Sequence, residues 1–172
     1  MRIEPEDRTA IPRHAERMAP VRLAYLWTLL VLGFDQASKL AVLHLIDLEI
    51  RQPIILTPVL DLILVWNRGI SYGLFQQESA TGQLVLLVLT LGAIVGLLVW
   101  MTRVEHHRLA FALGCLTGGA IGNAIDRAAY GAVVDFVHLH WQSWSWYVFN
   151  LADAAIVVGV FILMYDSWQA DH

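Results

Sequence analysis

Cysteine is nearly missing from this chain. Cys115 is the single one, so no internal disulfide can form, and it says nothing of the redox compartment. It sits in an apolar stretch, where a lone cysteine behaves as a small core residue. A dense basic patch is also missing. The formal net charge is -4 and the 11 basic residues are scattered, which argues against a nucleic-acid partner. Charge is absent from long stretches: Ser79 to Thr102 has none, and neither does Leu109 to Ile125. Zinc-ligand spacing is lacking too. His138 and His140 are i,i+2, and His106 and His107 lie near the opposite end, so no metal and no cofactor is expected.

What is present is apolar. The 172 residues are 58% hydrophobic with mean hydropathy +0.58, whereas a soluble domain is typically about 45–50% apolar. A water-soluble core of this size could not bury the excess, so the implied solvent is lipid. A membrane helix needs about 20 mostly apolar residues. Four stretches qualify, at about 21–46, 79–102, 109–126 and 144–165. The expected fold is an all-α membrane protein of four transmembrane helices. Residues 1–20 read as a weakly ordered cytoplasmic tail, and 21–168 as one membrane-embedded domain.

Between the first two spans lies a more polar segment, 47–83. Ile50 to Val65 is rich in branched aliphatics and interrupted by Pro53 and Pro58, which predicts short strands and turns. Asn67-Arg68-Gly69 is a turn signal. Tyr72 to Phe75 resumes an apolar, interfacial stretch. Gly92 and Gly96 form a small-xxx-small pair in the second span, and Gly114, Gly118, Gly119 and Gly122 mark the third, so close helix packing is expected in both. Trp141, Trp144, Trp146 and Tyr147 read as an aromatic belt before the fourth span.

Five arginines lie in residues 1–22, and Arg103 and Arg108 flank the turn between spans two and three. The positive-inside rule then makes both termini and that turn cytoplasmic. Segment 47–83 and loop 126–146 share the outer face. Topology alone therefore gathers Asp35, Lys39, Asn67, Asp126, Arg127, Asp135, Asn150 and Asp153 near one face. Ionisable residues in membrane-grade sequence are costly, which makes them functional candidates.

Asp35 and Lys39 are i,i+4 neighbours and can pair, with Lys39 also free to steer a substrate backbone. Asp126 has a structural reading, as a cap or as the partner of Arg127 or Lys39. Asp153 is the only charge in its helix. Asp135 and Asp153 lie 18 residues apart across a loop that can fold back and bring the carboxyls together. Two close carboxyls share a proton, so one can act as base and the other as acid. That chemistry hydrolyses an amide with no metal and no serine or cysteine nucleophile. A proton-coupled transporter and a non-catalytic scaffold are the competing classes. The charges cluster at one face and spans two and three offer no polar path across, which counts against transport.

Five blocks in order resemble the bacterial lipoprotein signal peptidase (signal peptidase II) family. They are Asp35 to Lys39, Asn67 to Gly73, Gly118 to Arg127, Gly131 to Phe136, and Phe149 to Ala154. Tyr72 stands where the family commonly has Phe. The resemblance implies an aspartic endopeptidase of the bacterial inner membrane, with its active site toward the periplasmic face. It implies Asp135 and Asp153 as the catalytic pair. Asp35, Lys39, Asn67, Gly69, Asn123, Asp126, Arg127 and Asn150 would support the site or contact substrate. The implied substrate is a prolipoprotein whose cysteine carries diacylglycerol, cut just before that cysteine. It further implies inhibition by globomycin-class cyclic peptides, and a small extramembrane β-rich cradle with a short interfacial helix within 47–79.

Overall fold

The first described element is helix α1 (Pro12–Leu40), which takes in residues 12–20 of the stretch expected to be a weakly ordered tail. The computed structural model describes residues 12–69 and 79–170, with only the backbone of 12–17, 80 and 170. Residues 1–11 of the expected tail, and the Tyr72 to Phe75 stretch, lie outside the described residues.

A π-helical turn (Ala41–Leu45) prolongs α1. After it come α2 (Leu48–Arg51), β1 (Ile54–Thr57), β2 (Leu60–Asn67) and α3 (Ala80–Met101). The chain ends with α4 (His107–Tyr130), β3 (Val133–Trp141), β4 (Trp144–Phe149) and α5 (Leu151–Ala170). Four of these helices are long and apolar enough to cross a membrane. Among the described residues of 47–79, the single turn α2 is the only helix.

The expectation of an all-α protein is corrected by a four-stranded antiparallel sheet of order β1-β2-β3-β4. Half of that sheet comes from residues expected to be an outer loop and the start of the last span. Trp144-Ser145-Trp146-Tyr147-Val148-Phe149 is aromatic and β-branched, a composition that fits a pleated strand. The last membrane helix therefore starts at Leu151, and the tryptophans belong to the sheet rather than to a belt on a helix. Gly131 closes α4 in the left-handed conformation at φ 69°, which a residue with a side chain resists. β3 can then turn back at once beside the helix end.

α4 is the central helix. In its apolar window 67% of residues are buried, against 11% to 22% in the other three. Glycine makes this possible. A methyl group at Gly119 would lie 2.5 Å from the Ala152 carbonyl oxygen of α5, and one at Gly118 would lie 2.7 Å from the Thr28 carbonyl oxygen of α1. Both neighbours therefore approach α4 to backbone distance, as small residues permit in membranes. The close packing expected at Gly92 and Gly96 is not found: nothing described in the chain lies within 4 Å of a methyl group placed there. Below the sheet, Val134 and Phe136 of β3 pack on Val42 and Leu48, fixing the sheet against the end of α1.

Candidate active site

Lys39 is the only lysine of the chain. Its ammonium lies 2.8 Å from Asp35 Oδ2, 2.7 Å from Asp126 Oδ2 and 3.0 Å from Asn123 Oδ1. An ammonium has three protons, and these three acceptors use all of them. Lys39, Asp35 and Asp126 are all buried, at 2%, 0% and 1% exposure. The remaining carboxylate lone pairs are also engaged. Asp35 Oδ1 accepts from the Ala152 amide at 3.0 Å, and Asp126 Oδ2 accepts from the Val134 amide at 3.1 Å. Gln36 donates to Asp126 Oδ1 at 3.1 Å and to the Gly122 carbonyl at 3.2 Å. One cation thus ties α1 to α4, and its two carboxylates reach α5 and β3. The partner of Asp126 is Lys39 rather than its neighbour in sequence, Arg127.

A layer of amides stands on this base. Asn123 accepts from Lys39 and donates to Asp153 Oδ1 at 2.9 Å. Asn150 precedes α5 and forms a reciprocal cap with Asp153. The Asp153 amide donates to Asn150 Oδ1 at 3.0 Å, and the Asn150 amide donates to Asp153 Oδ2 at 3.3 Å. This is the logic of a capping box, with aspartate in the acidic position. The same Asn150 side chain donates to Asp135 Oδ1 at 2.6 Å. Asn67, at the end of β2, donates to Asp135 Oδ2 at 2.9 Å, and its own oxygen accepts from the Gly69 amide at 2.9 Å. Arg127 donates to the Gly69 carbonyl at 2.9 Å and to the Asn123 carbonyl at 3.4 Å. Its charge acts on both Asp153 and Asp135.

All ten residues singled out from the sequence, from Asp35 to Asp153, meet in this cluster. Sequence reading passed over Gln36 and Tyr147, which the cluster also contains. Gln36 is adjacent to Asp35 on α1, and its position in a span was the available signal. Tyr147 accepts from Asn67 at 2.5 Å but was grouped with the tryptophans. Asp135 is fully buried, while Asp153 is partly exposed. Asp153 lines an apolar cavity of about 820 Å³ together with Leu139, Phe149, Val157 and Phe161.

Burial pushes the Asp135 carboxyl up to about 7, and the neighbouring Asp153 adds to the rise. Hydrogen bonds from Asn67 and Asn150 and the charge of Lys39 pull the other way. An unfolded aspartate titrates near about 3.9. A folded value above the unfolded one gives stability that is full below about pH 4 and lost as pH rises through about 7. Asp135→Asn removes this titration. The thermal midpoint in detergent of the wild type should therefore fall relative to that of the variant between about pH 4 and about pH 8. Two parallel curves would mean that Asp135 carries no excess proton in the folded protein.

A family model described as signal peptidase (SPase) II matches residues 27–169. A lipoprotein signal peptidase of Methylobacterium radiotolerans is 55% identical over 154 residues, covering 90% of this chain and 90% of its own. One of Methylorubrum extorquens is 56% identical over 150 residues, covering 87% of this chain and 88% of its own. A solved structure described as a bacterial membrane enzyme, determined by the in meso method, aligns with a TM-score of 0.75 at 23% identity. It covers 85% of this chain and 87% of that one, and supports the fold. With a family model spanning most of its length and relatives of this identity, the chain belongs to the signal peptidase II family.

Proposed function

We propose that the chain is a membrane aspartic endopeptidase that removes signal peptides from diacylglyceryl-modified prolipoproteins, cutting just before the modified cysteine. The observation that carries this reading is Asn150, whose backbone and side chain hold Asp153 and Asp135 at once. Asp135 and Asp153 are the catalytic pair. The ionised carboxyl takes a proton from water as the water oxygen attacks the scissile carbonyl carbon. The protonated carboxyl donates to the carbonyl oxygen. As the C–N bond breaks, a proton passes to the leaving amide nitrogen, and the pair returns to one shared proton. Asn67, Asn123 and Asn150 orient the two carboxyls. Arg127 fixes Gly69 beside them, and the Asp35–Lys39–Asp126 triad anchors the helix ends beneath.

The apolar cavity that Asp153 lines suits the lipid-bearing or apolar part of such a substrate. The enzyme sits in the bacterial inner membrane with both termini cytoplasmic and the aspartates toward the periplasm, and globomycin-class peptides inhibit it. The test is incubation of the purified protein with a diacylglyceryl-modified prolipoprotein. A mass loss equal to the signal peptide is expected, and it should disappear with globomycin. Cleavage of the unmodified precursor at the same rate would refute the lipid requirement, and no cleavage of either would refute the reading itself.

A further inference from the structure

Asp61, His138 and His140 meet on the sheet, away from the aspartate pair. The i,i+2 spacing of the two histidines means little in a loop. On a strand it places both side chains on one face. β3 is that strand, and alternation along it puts His138 and His140 on the face opposite Asp135. Asp61 of β2 is the cross-strand partner of His138. One nitrogen or oxygen atom from each of the three residues lies within 4.8 Å of the other two.

The contacts within this group are incomplete in a particular way. His140 Nε2 lies 2.9 Å from Asp61 Oδ2 yet makes no hydrogen bond, and Asp61 Oδ1 is likewise buried with none. His138 Nδ1 lies 3.8 Å from Asp61 Oδ2, too far for a hydrogen bond. The other nitrogen of that ring, Nε2, lies 2.7 Å from Ser145 Oγ. With its proton on Nε2 and donated to Ser145 Oγ, the ring presents the Nδ1 lone pair toward Asp61, and Ser145 stands where the outer partner of a metal-bound histidine does. The three side chains are 15% to 25% exposed, so an ion has a path in and room for a water ligand.

We propose that Asp61, His138 and His140 form a transition-metal site of the zinc class, with two imidazoles, one carboxylate and an open position. Imidazole and carboxylate together suit zinc, and tetrahedral bonds of about 2.0–2.1 Å set ligand atoms about 3.3 Å apart. The present spacings of 2.9 and 3.8 Å bracket that value. A bound ion would satisfy Asp61 Oδ1 or Oδ2 and His140 Nε2, and would clamp β2 to β3. It would take no part in the chemistry of Asp135, which faces the other way.

The test uses full-length, tag-free, metal-stripped protein in detergent, titrated calorimetrically with zinc sulfate. One equivalent should bind. His138→Gln and His140→Gln should each weaken binding by at least about tenfold, since even outer partners of metal ligands carry losses of about 10–100-fold. His106→Gln/His107→Gln should bind as the wild type does. In the unmutated protein, zinc should shield His138 and His140, but not His106 or His107, from carbethoxylation read by peptide mass spectrometry. The proposal fails if no zinc binds, if both single variants bind it undiminished, or if His138 and His140 stay fully reactive with zinc present.

Discussion

Asp135→Asn and Asp153→Asn should each slow prolipoprotein cleavage by at least about a hundredfold while leaving the protein folded. Proton-transfer groups typically supply about 10²–10⁴-fold, and the proposed pair needs one carboxyl as base and one as acid. The amide replacements are nearly isosteric. At Asp135 the partners Asn67 and Asn150 both donate, so an amide must turn its NH₂ toward one of them and lose that bond. The resulting cost is that of one buried donor left without an acceptor, about 1–3 kcal/mol. For Asp135 this is offset by removal of a buried carboxyl. Cleavage rate and thermal midpoint measured on the same preparations separate the two effects. Either variant keeping more than about a hundredth of the wild-type rate would sink the pair assignment, because the remaining groups cannot replace a lost acid or base.

The convergence of these residues was legible because charge in apolar sequence is rare and topology puts the rare positions at one end. The β2 segment was legible from its branched residues and prolines. The β3–β4 hairpin was not. Val133 to Phe136 is buried on both faces, Asp135 included, so its strand lacks the apolar–polar alternation that marks a half-exposed one. The run from Trp144 to Phe149 then merges without a break into an apolar helix. The break is Asn150, which caps α5 through Asp153, and the Asn-x-x-Asp spacing was a helix-start signal available in the sequence. Running the last span from 144 to 165, across Asn150, hid the hairpin, and with it the strand spacing of His138 and His140. Gly92 and Gly96 misled for a different reason. A small-xxx-small pair reports that a close neighbour is tolerated, and in this fold the glycines of α4 receive the close neighbours instead.

Lys39→Met should destabilise the protein by about 3–5 kcal/mol, the range for breaking a buried ion pair by removing one partner. Methionine keeps most of the volume of the side chain, so the loss is one of charge rather than of packing. Two carboxylates, Asp35 and Asp126, would then be left buried with no cation. Asp35→Asn and Asp126→Asn should each cost less, because Lys39 keeps its other carboxylate and Asn123. The triple variant, in which all three are neutral, should recover much of the loss, with coupling of about 0.5–3 kcal/mol expected between residues in contact. The geometry favours this supporting role over direct handling of substrate, since all three ammonium protons are already directed at Asp35, Asp126 and Asn123. The rate should still respond, because Asn123 joins Lys39 to Asp153, and without Lys39 its oxygen keeps only the longer bond from Asn150 at 3.3 Å. Unfolding in detergent and cleavage rate, measured on the wild type, the three single variants and the triple variant, give both readouts. A Lys39→Met protein with wild-type stability would show that the triad does not hold the helix ends. Wild-type stability with a large loss of rate would return Lys39 to the substrate.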